Sequence, residues 1–160
     1  AGATSNVKIT YSVSSSASPG AWTYRVFLYS GSTLLDQKTD GSFTVGAAII
    51  AASIASASDS PDPVATGRTV TFAVTFTNTG NIAWSSSSIS IRLYRPDDAL
   101  GTTLLLKVSN IQPGVKYTYQ ITWKVPSSGP KGTWDYEVYL SYGSILTASS
   151  TDAGNTVTVK

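Results

Sequence analysis

Residues 68–78 read RTVTFAVTFTN, and this stretch decides the fold. Val70, Phe72, Val74 and Phe76 fall on one side of an extended chain, with Thr69, Thr71, Thr75 and Thr77 on the other. A period of two marks a strand with one buried face. Threonine suits the other face, because its β-branch fits a pleated surface. Asn78-Thr79-Gly80-Asn81 then supplies turn chemistry. Working outward, residues 88–94 point Ile89, Ile91 and Leu93 inward, and Arg95-Pro96-Asp97-Asp98 turns the chain. Residues 102–108 make a short strand closed by Gln112-Pro113-Gly114. Tyr117, Tyr119, Ile121, Trp123 and Val125 share one face, a loop follows at 126–131, and Trp134, Tyr136, Val138 and Leu140 face inward after it. Residues 156–159 close the sheet. A leading strand is expected within residues 48–58, where Ile50, Ala52 and Ile54 alternate, a helix being the lesser alternative. Seven strands separated by turn signals predict an antiparallel two-sheet sandwich.

The chain also repeats itself. Residues 9–45, ITYSVSSSASPGAWTYRVFLYSGSTLLDQKTDGSFTV, align without a gap on residues 121–157, ITWKVPSSGPKGTWDYEVYLSYGSILTASSTDAGNTV. The offset is constant at 112, and 17 of the 37 positions are identical, among them Gly20/Gly132, Trp22/Trp134, Tyr24/Tyr136, Val26/Val138, Leu28/Leu140 and Gly31/Gly143. The second copy follows a run of further strands, whereas only eight residues precede the first. The expected organisation is therefore a partial repeat at 1–46, holding the last three strands, and a complete sandwich at 47–160.

Composition narrows the function classes. Charged residues make up 12% of the chain, about half the usual share of roughly 25%. Serine and threonine, 25 and 21 residues, fill the difference. The net charge of +2 comes from scattered groups such as Arg25, Arg68, Arg92 and Arg95, without the clustered basic face that nucleic acid requires. No apolar run approaches the 18 residues of a membrane span. There is no initiator Met and no leader, as expected of a processed chain or an excised fragment. With no Cys and no His, no disulfide, no thiolate metal site and no Ser-His or Cys-His pairing can form. No Asn-x-Ser/Thr sequon occurs.

Gly67-Arg68-Thr69-Val70-Thr71-Phe72 leading to Thr77-Asn78-Thr79-Gly80, then Ile111-Gln112-Pro113-Gly114, Ile121-Thr122-Trp123 with Pro126, and Gly132-Thr133-Trp134-Asp135-Tyr136 together resemble the cell-adhesion-related modules called CARDB. These are immunoglobulin-like repeats of bacterial and archaeal surface and secreted proteins. The resemblance covers residues 48–160 and, through the repeat, 6–46. It implies an all-β, immunoglobulin-like antiparallel β-sandwich, one complete copy preceded by the C-terminal half of a second. The acidic and Asn-rich stretch common before the last strand of such modules is reduced here to Asp152 and Asn155.

Nine carboxylates are the only acid/base groups. Asp59 and Asp62 flank a Pro-rich loop, Asp97 and Asp98 sit in a turn, and Asp36, Asp40 and Asp152 lie near strand ends, where Asp bonds local backbone. Asp135 and Glu137 share an outward face about 7 Å apart, a spacing open to a glycosidase pair. The first copy carries Thr23 and Arg25 there, so a solvated strand face is expected and no catalytic residue, metal or cofactor is assigned. Trp22 and Trp134 hold equivalent inward positions and are read as core, and Trp84 as a cap on the sandwich edge. Phe27, Tyr29, Tyr94 and Tyr139 point outward and are the candidate partner contacts. Ile9, Tyr11, Val13, Trp22, Tyr24, Val26 and Leu28 form the apolar face that the partial repeat cannot cover. The reading is a non-enzymatic extracellular or cell-surface module, the subunit of a filament or layer whose copies exchange strands. Its partners are then other copies of itself, with surface glycans as a further candidate. The rival is a carbohydrate-binding or spacer module of a secreted hydrolase.

Overall fold

The computed structural model describes residues 4–14, 17–150 and 155–160, without the side chain of Asp40. Every regular element among them is a strand, so no helix long and apolar enough to cross a membrane is present. Contacts divide the chain into two units, Ala1–Ala48 and Ile49–Lys160.

The second unit is an immunoglobulin-like sandwich of eight strands: β3 (Ala52–Ser60), β4 (Thr69–Asn78), β5 (Ser87–Tyr94), β6 (Leu100–Val108), β7 (Lys116–Lys124), β8 (Gly132–Tyr142), β9 (Ile145–Ser150) and β10 (Thr156–Val159). One sheet runs β3-β4-β7 and the other β10-β8-β5-β6, with β9 also on β8, and all these pairs are antiparallel. Strand β4 is central to the first sheet, and Val70, Phe72, Val74 and Phe76 are fully buried against Ile89, Ile91 and Leu93 of β5 and Val138 and Leu140 of β8 in one core. Each such large side chain removed from water stabilises the fold by about 1.5–3 kcal/mol.

The turn after β4 is fixed by a buried amide. Asn78 Nδ2 donates to the carbonyls of Ile82 and Ile111 at 2.8 and 3.2 Å, while its Oδ1 accepts from Gly80 N at 3.0 Å. A Cβ on Gly80 would stand 2.1 Å from the Ile49 carbonyl oxygen, so the chain passes too close for any other residue.

Three expectations change in this unit. Eight strands form rather than seven, because β9 (ILTASS) lies on an edge with Ile145 and Leu146 exposed and lacks the alternation that a half-buried strand shows. The leading strand starts at Ala52, leaving Ile50 outside it, and a register shift between Ile54 and Ser56 changes its parity, so Ala57 and Asp59 turn toward the core side. Trp84 is not an edge cap. It is 1% exposed, stacked between Phe76 (6.4 Å) and Tyr142 (6.0 Å) and bridged to Ile111. Its Ser-rich surroundings hid a core position.

The first unit holds two strands, β1 (Gly20–Ser30) and β2 (Thr33–Val45), paired antiparallel. Residues 9–13, expected as a strand, have none. The reason is visible in the second unit. There the equivalent residues 121–125 belong to β7 and its continuation, and β7 pairs with β4; the described residues of the first unit include no counterpart of β4.

Candidate interaction surface

The turn-side half of the first unit's hairpin repeats the β8–β9 hairpin, while beyond it the register differs by two residues, Gly20 facing Val45 where Gly132 faces Val159. Pairs Val26↔Lys38, Phe27↔Gln37, Leu28↔Asp36, Tyr29↔Leu34 and Ser30↔Thr33 map, at the offset of 112, onto Val138↔Ser150, Tyr139↔Ser149, Leu140↔Ala148, Ser141↔Leu146 and Tyr142↔Ile145. Even the register shift recurs, between Leu28 and Tyr29 and between Leu140 and Ser141. Gly31 and Gly143 turn both hairpins at φ 58° and 57°, in the left-handed region that glycine enters without strain. Trp22 donates its indole N–H to the Ser18 carbonyl at 2.9 Å, and Trp134 donates to the Pro130 carbonyl at 3.0 Å, again 112 residues on.

What differs is cover. In the sandwich, Trp134, Tyr136, Val138 and Leu140 are 3, 3, 0 and 1% exposed; their counterparts Trp22, Tyr24, Val26 and Leu28 are 37, 52, 49 and 59% exposed. Trp134 meets Trp123 at 4.9 Å and Tyr136 meets Phe72 at 4.9 Å, contacts supplied by β7 and β4. Among the described residues the Trp22 ring meets one other aromatic ring, Phe43 of its own hairpin at 6.2 Å, and at 37% exposure it is not the core residue its alignment suggested. Ile9, Tyr11 and Val13 are exposed as well. Apolar side chains this exposed on a two-stranded hairpin are unusual in water. Among the described residues β1 pairs with β2 alone, leaving its other edge open, whereas β8 pairs with β5 along that side.

The outward aromatics separate into two groups. Phe27 and Tyr29 lie 6.4 Å apart on β1, both exposed. Tyr94 on β5 and Tyr139 on β8 are half-buried and both donate to Glu137 Oε2, at 2.7 and 2.6 Å. Arg92 lies 4.6 Å from the Tyr139 ring centre. The Tyr139 and Tyr94 hydroxyls, with Arg92 nearby, hold the Glu137 carboxyl below its ordinary range. A general acid needs the opposite shift. Asp135 is exposed on the same face and opposes Tyr94 in the ladder.

Sequence reasoning missed one acid. Asp59 is half-buried at the end of β3, where the Tyr136 hydroxyl donates to Oδ1 at 3.4 Å. Burial, then the neighbouring Asp62, push its carboxyl above the usual range. Only the shifted register of β3 brings it there, and its place beside prolines reads as an ordinary turn. Asp62 accepts from Thr158 N at 2.8 Å, and Asn155 donates to Ser150 Oγ at 3.2 Å. Asp152 lies outside the described residues. Among the described residues no three His, Cys, Asp or Glu side chains converge to hold a metal.

The fold and its surface define an immunoglobulin-like β-sandwich module carrying a second, bare hairpin. The chain belongs to the CARDB family, whose model matches residues 49–159. That family consists of non-catalytic immunoglobulin-like modules found in surface or secreted proteins. No curated protein matches the sequence. Among solved structures, the C-terminal domain of wzt is similar at a TM-score of 0.57 and 11% identity, over 89% of this chain and 82% of that one. A Niemann-Pick type C2 protein from the Japanese carpenter ant is similar at 0.51 and 10%, over 71% and 96%. A CARDB domain from Pyrococcus furiosus, solved in complex with di-metal ions, stands at 0.43 and 14%, over 70% and 93%. At these identities the first two likenesses show the fold alone.

Proposed function

We propose that the chain is a non-catalytic structural module of an extracellular surface layer or filament, in which the first hairpin is completed by strands from a neighbouring module of this kind. One observation supports the reading: the same hairpin is built twice, and only one of the two is covered. The covered copy shows what the bare one lacks, a strand along the β1 edge and a sheet over Trp22, Tyr24, Val26 and Leu28. Supplying these from outside is β-augmentation, where ladder hydrogen bonds and alternate side-chain pockets act together. A contact of this type joins unlike surfaces, so it does not close into a symmetric dimer and can extend along a row of modules into a filament or layer.

The glycan-binding rival loses ground at Tyr94 and Tyr139. Both hydroxyls are engaged by Glu137, and the Arg92 guanidinium lies over the ring face that a sugar would need.

A photo-crosslinking residue in place of Leu28, introduced in the native cell envelope, tests the proposal. The expected product joins residue 28 to a strand of an immunoglobulin-like module, identified by sequencing the linked peptide. A product joined to any other class of partner, or none at all, overturns it.

A further inference from the structure

The covered hairpin also shows the register that the incoming strand must take. On β8, strand β5 pairs Ser87↔Tyr142, Ile89↔Leu140, Ile91↔Val138, Arg92↔Glu137 and Leu93↔Tyr136. Subtracting 112 places a β5-like strand on β1 with its apolar positions opposite Leu28, Val26 and Tyr24, all of which are unchanged in the repeat. Hydrophobic matching is thus retained. The outward face is not: Glu137 becomes Arg25, and Tyr139, which helps hold Glu137, becomes Phe27. If β5 of an identical copy were laid on β1, Arg92 would stand directly opposite Arg25. Opposed like charges on a ladder are unfavourable, and an opposite pair is favourable.

We infer that the open edge of β1 is an acceptor site for the β5-equivalent strand of a different immunoglobulin-like module, one that carries an acidic residue opposite Arg25. This rests on the completion reading and adds to it the register, the direction and the selectivity. The incoming strand runs antiparallel to β1, with alternating aliphatic residues toward Tyr24, Val26 and Leu28. An Asp or Glu on its outer face pairs with the Arg25 guanidinium, and a self strand bearing Arg there is disfavoured by the same group. Selectivity of this kind combines an attractive contact to one partner with a repulsive one to the other.

The test uses the full chain preceded by an extra copy of residues 49–112, which restores the missing strands in the repeat's own spacing. Two such chains differ only at the added counterpart of Arg92, which is Arg in one and Glu in the other. The Glu chain is expected to protect the β1 amides about five-fold more than the Arg chain, the factor that a cross-strand charge pair of about 1 kcal/mol gives. With Arg25→Glu in the hairpin, the order of the two chains is expected to reverse, which a merely structural effect would not do. Equal protection in both, or a preference for Arg, overturns the selectivity and leaves completion standing. No gain of β1 protection in either chain overturns completion itself.

Discussion

Trp22 and Trp134 occupy equivalent positions in two copies of one hairpin, so replacing each by Ala weighs the missing cover against an internal control. Trp134 is 3% exposed, packed on Trp123 and hydrogen-bonded to the Pro130 carbonyl. Truncating a buried aromatic of this size costs about 3–5 kcal/mol, through lost transfer energy and the cavity left behind. In urea, with a slope of about 2 kcal/mol per molar, Trp134→Ala should lower the unfolding midpoint by roughly 2 M. Trp22 makes an equivalent indole bond, to Ser18, but is 37% exposed with one aromatic neighbour. It has little packing to lose, and Trp22→Ala should cost no more than about 1 kcal/mol, the size of the hydrogen bond. The assay is urea unfolding followed on the amide signals of each tryptophan's own hairpin. Equal losses would refute the account of cover, and a small loss at Trp134 would refute the core assignment.

Other outcomes follow from the same structure. Gly101 lies against the Trp134 ring, where an added Cβ would come within 2.4 Å, so Gly101→Ala should destabilise the sandwich by about 1–3 kcal/mol in the same urea assay. Asn78→Ala removes three hydrogen bonds at a buried turn and should cost about 1–3 kcal/mol, mainly through the Ile82 carbonyl, since the Ile111 carbonyl keeps its bond from Trp84 N and Gly80 N its bond to the Ala51 carbonyl. Asp59 has its folded pKa raised by burial and Asp62, so its contribution is lost as pH rises through that value. Asp59→Asn should therefore raise the thermal midpoint at neutral pH, and the gain should vanish below the ordinary Asp value of 3.8. Glu137 runs the other way, its carboxyl held low by Tyr139 and Tyr94, and stability should fall as pH drops through its lowered value, a loss that Glu137→Gln removes. The chain should not hydrolyse glycans or peptides; turnover that disappears in Asp135→Ala or Glu137→Ala would contradict this.

The sandwich was legible because its strands keep one face wet, and alternation records that directly. Residues 68–78 and 134–140 are where this signal is cleanest, and there the buried set matches the pattern residue for residue. It was lost where other forces decide. Strand β9 forms because β8 offers an edge, with no alternation of its own. Asp59 turned inward because a bulge shifted parity. Trp84 was buried by neighbours distant in sequence. In the first unit the alternation of residues 9–13 announces a strand, but a strand needs a partner, and its β4-type partner is missing from that unit. The repeat itself was plain from the sequence, yet only the structure shows that it preserves cross-strand register between residues 26–30 and 33–38, and that its charge change from Glu137 to Arg25 falls on the strand whose edge opposite β2 is open.

The most direct test of the central claim is amide exchange along β1, read against β8 as its internal standard, in the 160-residue chain and in the chain extended by residues 49–112. In the chain alone, the amides on the open edge of β1 should exchange quickly, while their counterparts on the β5 edge of β8 stay protected. In the extended chain, β1 should approach the protection of β8. If β1 is already as protected as β8 in the chain alone, or if the added strands leave it exchanging freely, the bare hairpin is not half of a sandwich awaiting completion.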